Sequence, residues 1–178
     1  MKVIKVLLIA IIAIIAISLV LAIFITKDYS VTREIVINKP KQQVFDYVKL
    51  LKNQAYYHKW VMMDPNAKME YKGTDGTVGY ISTWDSQIKD VGKGEQEIKS
   101  VVDGQSIDCD VRFIKPFEGN AHTTMITEAA GDNQTKIKWT FSGVSNYPMN
   151  IMNLFMNKML GGDLHTSLVK LKEVLEKQ

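Results

Sequence analysis

From Val6 to Ile25 the chain reads VLLIAIIAIIAISLVLAIFI, twenty residues without a charge and with Ser18 as the only hydroxyl. A helix of that length, at about 1.5 Å per residue, crosses a hydrocarbon core about 30 Å thick. The run reads as a transmembrane helix. It assigns residues 1–28 to a membrane anchor and leaves the folded domain to residues 29–178. A cleaved signal peptide is the rival, because Lys2 and Lys5 make a basic leading end and Val20-Leu21-Ala22 suits a peptidase. Secretory apolar regions have only about 7 to 15 residues, however, and here Ile23, Phe24 and Ile25 carry the run past the cut. The leading lysines favour a cytoplasmic N-terminus, with the domain on the outer side, periplasmic or extracellular. Lys27 and Arg33, just beyond the run, pull the other way.

Of 22 basic and 19 acidic residues, Lys2, Lys5, Lys27 and Asp28 belong to the anchor, so the remainder is close to neutral. It holds no cluster of Lys and Arg with interleaved aromatics, which speaks against a nucleic-acid partner. Cys109 is the single cysteine, so neither an internal disulfide nor a thiolate zinc site is expected. No cofactor or metal is expected.

After the anchor, YSVTREIVINKP alternates Val31, Arg33, Ile35 and Ile37 against Thr32, Glu34 and Val36, a strand stopped at Pro40. Next, KQQVFDYVKLLK spaces Val44, Val48 and Leu51 as one face of a helix, and NQAYYHKW suggests a second short one. Turn signals at Thr74-Asp75-Gly76, Val91-Gly92-Lys93-Gly94, Asp103-Gly104 and Gly131-Asp132-Asn133 then divide alternating runs. The expected strands cover about 67–72, 78–84, 94–102, 105–114, 119–129 and 134–142. A helical stretch opened by Pro148 reaches the C-terminus with Leu164, Leu168, Leu171 and Leu175 on one face, interrupted at Gly161-Gly162. This α+β order is most simply buried as one antiparallel meander with helices on a single face.

Alternation assigns the inner face. It collects Val78, Tyr80, Ser82 and Trp84, then Gln96 and Ile98, then Ile107, Cys109, Val111 and Phe113, and finally Ile137, Trp139 and Phe141. Arg33 and Glu128 are candidate inward charges. In the last helix Met149, Met152, Met156 and Met159 recur at spacings of three and four, with Asn150, Asn153 and Asn157 on a neighbouring strip. The methionine stripe reads first as core packing, with cavity wall and membrane contact as alternatives.

VTREIVINKPKQQVFDYV, Trp60, KWTF and the closing LHTSLVKLKEVLEK, in that order, resemble the START-like (SRPBCC) superfamily, and within it the polyketide cyclase/dehydrase type. The resemblance covers roughly residues 29–178. It implies a helix-grip fold: a curved seven-stranded antiparallel sheet around a long C-terminal helix, two short helices after the first strand, and a hydrophobic pocket between sheet and helix. The anchor is outside the shared domain. On that architecture the expected ligand-binding residues are Tyr80, Ser82, Trp84, Gln96, Ile98, Cys109, Val111, Phe113, Met125, Trp139, Met152, Asn153 and Met156.

His58, His122 and His165 fall on different elements and read as surface or boundary residues, so no triad or metal pair emerges and no catalytic residue is assigned. The leading expectation is a membrane-tethered domain that binds a hydrophobic small molecule or lipid. The alternatives are a cyclase- or dehydrase-like enzyme and a cell-envelope interaction module without ligand.

Overall fold

The computed structural model of the chain describes residues 2–178. Helix α1, Lys2–Phe24, leads into β1, Asp28–Ile37. Two short helices follow, α2 (Lys41–Val48) and α3 (Lys59–Met63), with a 3-10 segment Leu51–Tyr56 between them. Six strands come next: β2 Lys68–Lys72, β3 Ile81–Asp85, β4 Lys93–Val102, β5 Ser106–Lys115, β6 Gly119–Gly131 and β7 Gln134–Val144. A 3-10 turn, Met149–Met152, runs into α4, Asn153–Glu176.

All seven strands form one antiparallel sheet in the order β1-β7-β6-β5-β4-β3-β2, so the chain meanders from β2 to β7 and closes by pairing β7 with β1. The expected alternation holds on β1, where Val31 and Ile37 are buried and Thr32 and Glu34 are exposed, and on β5 and β7. On β4 a bulge between Ile98 and Ser100 inserts one residue, so Val101 packs inward after Ile98. Val78, expected on the inner face, instead lies in the turn ahead of β3 and is exposed, since Gly79 at φ +85° redirects the chain. The second short helix is likewise displaced. Tyr57-His58 separates the 3-10 segment from α3, so NQAYYHKW is not one helix.

Helix α4 lies across the sheet on β1, burying Leu160, Leu164, Leu168, Leu171 and Leu175. It is continuous through Gly161-Gly162, contrary to the expected interruption. Gly161 is there for clearance: a Cβ would run into the Arg33 guanidinium, which points inward from β1 and donates to Asn157 O (2.7 Å) and Asn157 Oδ1 (2.9 Å). Glu128 points outward and pairs with Lys136 and Lys138, which hold its carboxyl below the usual range.

Helix α1 presents its apolar side chains to the surroundings along nearly its whole length and has the dimensions of a membrane anchor or a signal sequence. Its last turn is gripped by the start of the C-terminal helical region. Asn150 is buried and its Nδ2 donates to Ala22 O and Ile25 O, both at 2.7 Å. Asn153 Nδ2 donates to Thr26 O (2.9 Å) and Lys27 O (3.0 Å), and the Ser145 amide also donates to Lys27 O. Helix ends leave carbonyls without partners, and these amides satisfy them.

Candidate functional site

Between the concave face of the sheet and the α3–α4 layer lies an open cavity of about 1450 Å³. The sheet supplies Ser82 and Trp84 from β3, Gln96 from β4, Val111 and Phe113 from β5, and Trp139 and Phe141 from β7. Opposite them stand Gln54, His58, Trp60 and Met62, with Met156 from α4. Tyr29, Phe117, Tyr147 and Met149 border the opening.

All three tryptophans of the chain line this space, and each indole N–H is already bonded to protein. Trp139 Nε1 donates to Thr123 Oγ1 (2.6 Å), Trp84 Nε1 to Val91 O (3.1 Å) and Trp60 Nε1 to Asp163 Oδ2 (3.0 Å). With their donors occupied, the rings offer only apolar surface to whatever enters. Edge-to-face contacts hold them in place: His58 on Trp139 at 5.0 Å, Trp60 on Phe141 at 6.0 Å, Trp84 on Phe113 at 6.2 Å. Gly94 makes room for Trp84, since a Cβ there would collide with the indole and with Arg112 O.

His58 is a half-buried ionisable group on this wall. Burial pushes its imidazole down to about 4, with nearby Asp163 opposing, so the ring is neutral at neutral pH. Its Nδ1 is buried without a partner. His58 therefore takes the boundary position, one of the two expected for it. His122 does face outward, with Nδ1 2.9 Å from Asp110 Oδ1, and His165 is exposed. Among the described residues no three His, Cys, Asp or Glu side chains are grouped as a metal site would need.

Of the thirteen residues singled out in the sequence, Ser82, Trp84, Gln96, Val111, Phe113, Trp139 and Met156 border the cavity. Six lie elsewhere. Tyr80 is in the core, stacked on Tyr71 at 6.2 Å, and Ile98 is fully buried beside it, their backbones joined by Ile98 N to Tyr80 O. Cys109 and Met125 sit deeper, around a void of about 10 Å³, too small for any ligand. Burial raises the Cys109 thiol to about 12, which makes it an inert apolar group. Met152 is partly exposed, and Asn153 holds the anchor exit. Most of the methionine stripe is therefore not core: Met149, Met152 and Met159 are exposed, and Met156 alone of the four packs against the core while bordering the cavity.

Sequence reasoning passed over Tyr29, His58 and Trp60. Tyr29 shares the parity of Val31, so alternation carried two residues further back reaches it. His58 and Trp60 sit at the junction of a 3-10 segment and a five-residue helix, where neither a period of 2 nor of 3.6 applies.

Residues 28–176 match the protein family described as polyketide cyclase / dehydrase and lipid transport. The chain belongs to this family. Solved structures share the fold. Norcoclaurine synthase from Thalictrum flavum, in complex with dopamine and hydroxybenzaldehyde, aligns with a TM-score of 0.65 at 12% identity, over 85% of this chain and 88% of that one. A Thermobifida fusca protein solved by NMR aligns at 0.61 and 14% identity, over 83% and 93%. A Chromobacterium violaceum protein aligns at 0.59 and 14%, over 83% and 96%. At such identities the likeness is one of fold: the START-like, helix-grip arrangement expected from the sequence, an open seven-stranded sheet with a C-terminal helix. No curated protein matches the sequence significantly.

Proposed function

We propose that the chain is a membrane-tethered binder of a hydrophobic small molecule or lipid, which it holds in the cavity between the sheet and α4. The observation that carries this reading is the tryptophan-walled space of about 1450 Å³, larger than the roughly 300–1000 Å³ of pockets for drug-sized ligands. Residues 1–28 serve as the anchor and 29–178 as the binding domain, with the N-terminus on the cytoplasmic side. The grip of Asn150 and Asn153 on the end of α1 supports an uncleaved helix, because cleavage after Ala22 removes a carbonyl that Asn150 binds. A tether raises the local concentration of membrane-derived ligand without any added contact.

The test uses the tryptophans. Full-length chain in lipid nanodiscs is titrated with a brominated fatty acid while indole emission is followed; saturable quenching is expected, because Trp60, Trp84 and Trp139 all face the same space. Emission unchanged across the titration defeats the reading.

Catalysis on a hydrophobic substrate is the second reading, and it rests on His58. A neutral imidazole on the wall can accept a hydrogen bond from a ligand hydroxyl, but a base held near 4 abstracts protons poorly at neutral pH. That weakness ranks it below binding. A ligand-free envelope module ranks lower still, since it requires an interior filled by the protein's own side chains.

A further inference from the structure

We propose that the mouth of the cavity is a membrane-docking surface, seated on the same bilayer that α1 enters, so that the apolar ligand passes directly between the near leaflet and the cavity. The inference rests on the tether proposed above and adds which way the domain faces. Strand register decides the direction. Asp28, the first residue of β1, pairs with Val144 at the end of β7, while Ala121 near the start of β6 pairs with Gly143, and Gly119 with Phe113 near the end of β5. The exit of α1, the β5–β6 turn and the β7–α4 connection therefore share one end of the sheet.

Exposed apolar residues of the cavity wall gather at that end. Phe117 in the β5–β6 turn is 78% exposed and Met149 is 62% exposed, and both border the opening together with Val144 and Tyr147. Exposed apolar rims of this kind mark partners, and a tyrosine among them suits the boundary between hydrocarbon and water. What covers the rim follows from the distance to α1. Only Ile25, Thr26 and Lys27 separate the helix from β1, a reach of at most about 14 Å over four steps. Asn150 and Asn153 clasp that same segment, so the rim cannot swing away from the surface α1 enters. The charged side chains of the cavity lining are Lys52 and Lys115 with Asp64, Asp90 and Glu118, so the lining carries no excess of positive charge and the contact needs no anionic lipid.

Full-length protein carrying Phe117→Cys, and separately Met149→Cys, is labelled with an environment-sensitive fluorophore; buried Cys109 stays unlabelled, as the unsubstituted chain verifies. Asp132→Cys, on the opposite tip of β6–β7 roughly 35 Å away, is the reference position. Each protein is reconstituted into phosphatidylcholine vesicles with and without spin-labelled lipid. Labels at 117 and 149 are expected to be quenched several-fold more than the label at 132. Protein that floats with the vesicles but shows equal, weak quenching at all three positions overturns the docking and leaves the tether standing. Protein that does not float overturns both. Labels at 117 and 149 that are shielded from water yet not quenched by lipid indicate a second copy over the mouth and overturn the proposal.

Discussion

Replacing Asn150 by alanine tests the joint between anchor and domain. Its Nδ2 makes two bonds of 2.7 Å to Ala22 O and Ile25 O, and each such bond is worth about 1 kcal/mol net. Its Oδ1 is buried without a partner, so the substitution also relieves about 1 kcal/mol, the low end of the cost of an unmade buried bond. The joint should thus lose about 1–2 kcal/mol, a factor of roughly 5–30 in its local opening equilibrium. Lys27 is exposed as a side chain, but its carbonyl is held by Asn153 and by the Ser145 amide, so trypsin must wait for opening before cutting after it. In nanodiscs, cleavage at Lys27 should accelerate about 5–30-fold in Asn150→Ala, in the regime where opening is fast relative to cutting. Thermal melting of the sheet should be unchanged. Equal cleavage rates in both proteins would show that the clasp does not hold the joint.

Two neighbouring glycines should respond with opposite signs. Gly162→Ala meets nothing within 4 Å and should stabilise by up to about 1 kcal/mol, whereas Gly161→Ala displaces Arg33 from two charge-assisted bonds and should lower the melting temperature despite the same helical gain. Phe113→Asp places a carboxylate on the apolar wall, where it repels the probe's own carboxylate, and should weaken the brominated fatty acid at least about tenfold, about 1.4 kcal/mol, with the circular dichroism spectrum intact. His58 gives a pH signature. Its folded value near 4 lies below the ordinary 6.5, so the unfolded chain binds the proton first and stability, full above 6.5, falls as pH drops towards 4. The slope is at most about 1.4 kcal/mol per pH unit, less if water fills the cavity, and it should be missing from denaturant titrations of His58→Gln.

The strands were legible because one face of each is buried, which writes a period of two into β1, β5 and β7. That frame found the cavity residues on β3, β4 and β5 but could not foresee that Cys109 and Met125 sit beneath its floor, since depth along a strand leaves no mark on alternation. The methionine stripe was misassigned for a different reason. Within α4, at 100° per residue, Met156 and Met159 lie about a quarter turn from the leucine face that the helix buries, while Asn153 and Asn157 fall in line with those leucines. Asparagine fills the inward face of the first turns because what it meets is polar: the carbonyls ending α1 and the guanidinium of Arg33. Nothing in the sequence alone named those partners.

The clasp at the end of α1 is made of uncharged amides. Ion pairs at a bilayer surface weaken as counterions gather and as the local proton concentration shifts, but carboxamide-to-carbonyl bonds carry no charge to screen and no proton to lose. The stalk and the body it carries should therefore keep one fixed attitude through changes in salinity and acidity that would loosen a joint built from lysine and aspartate.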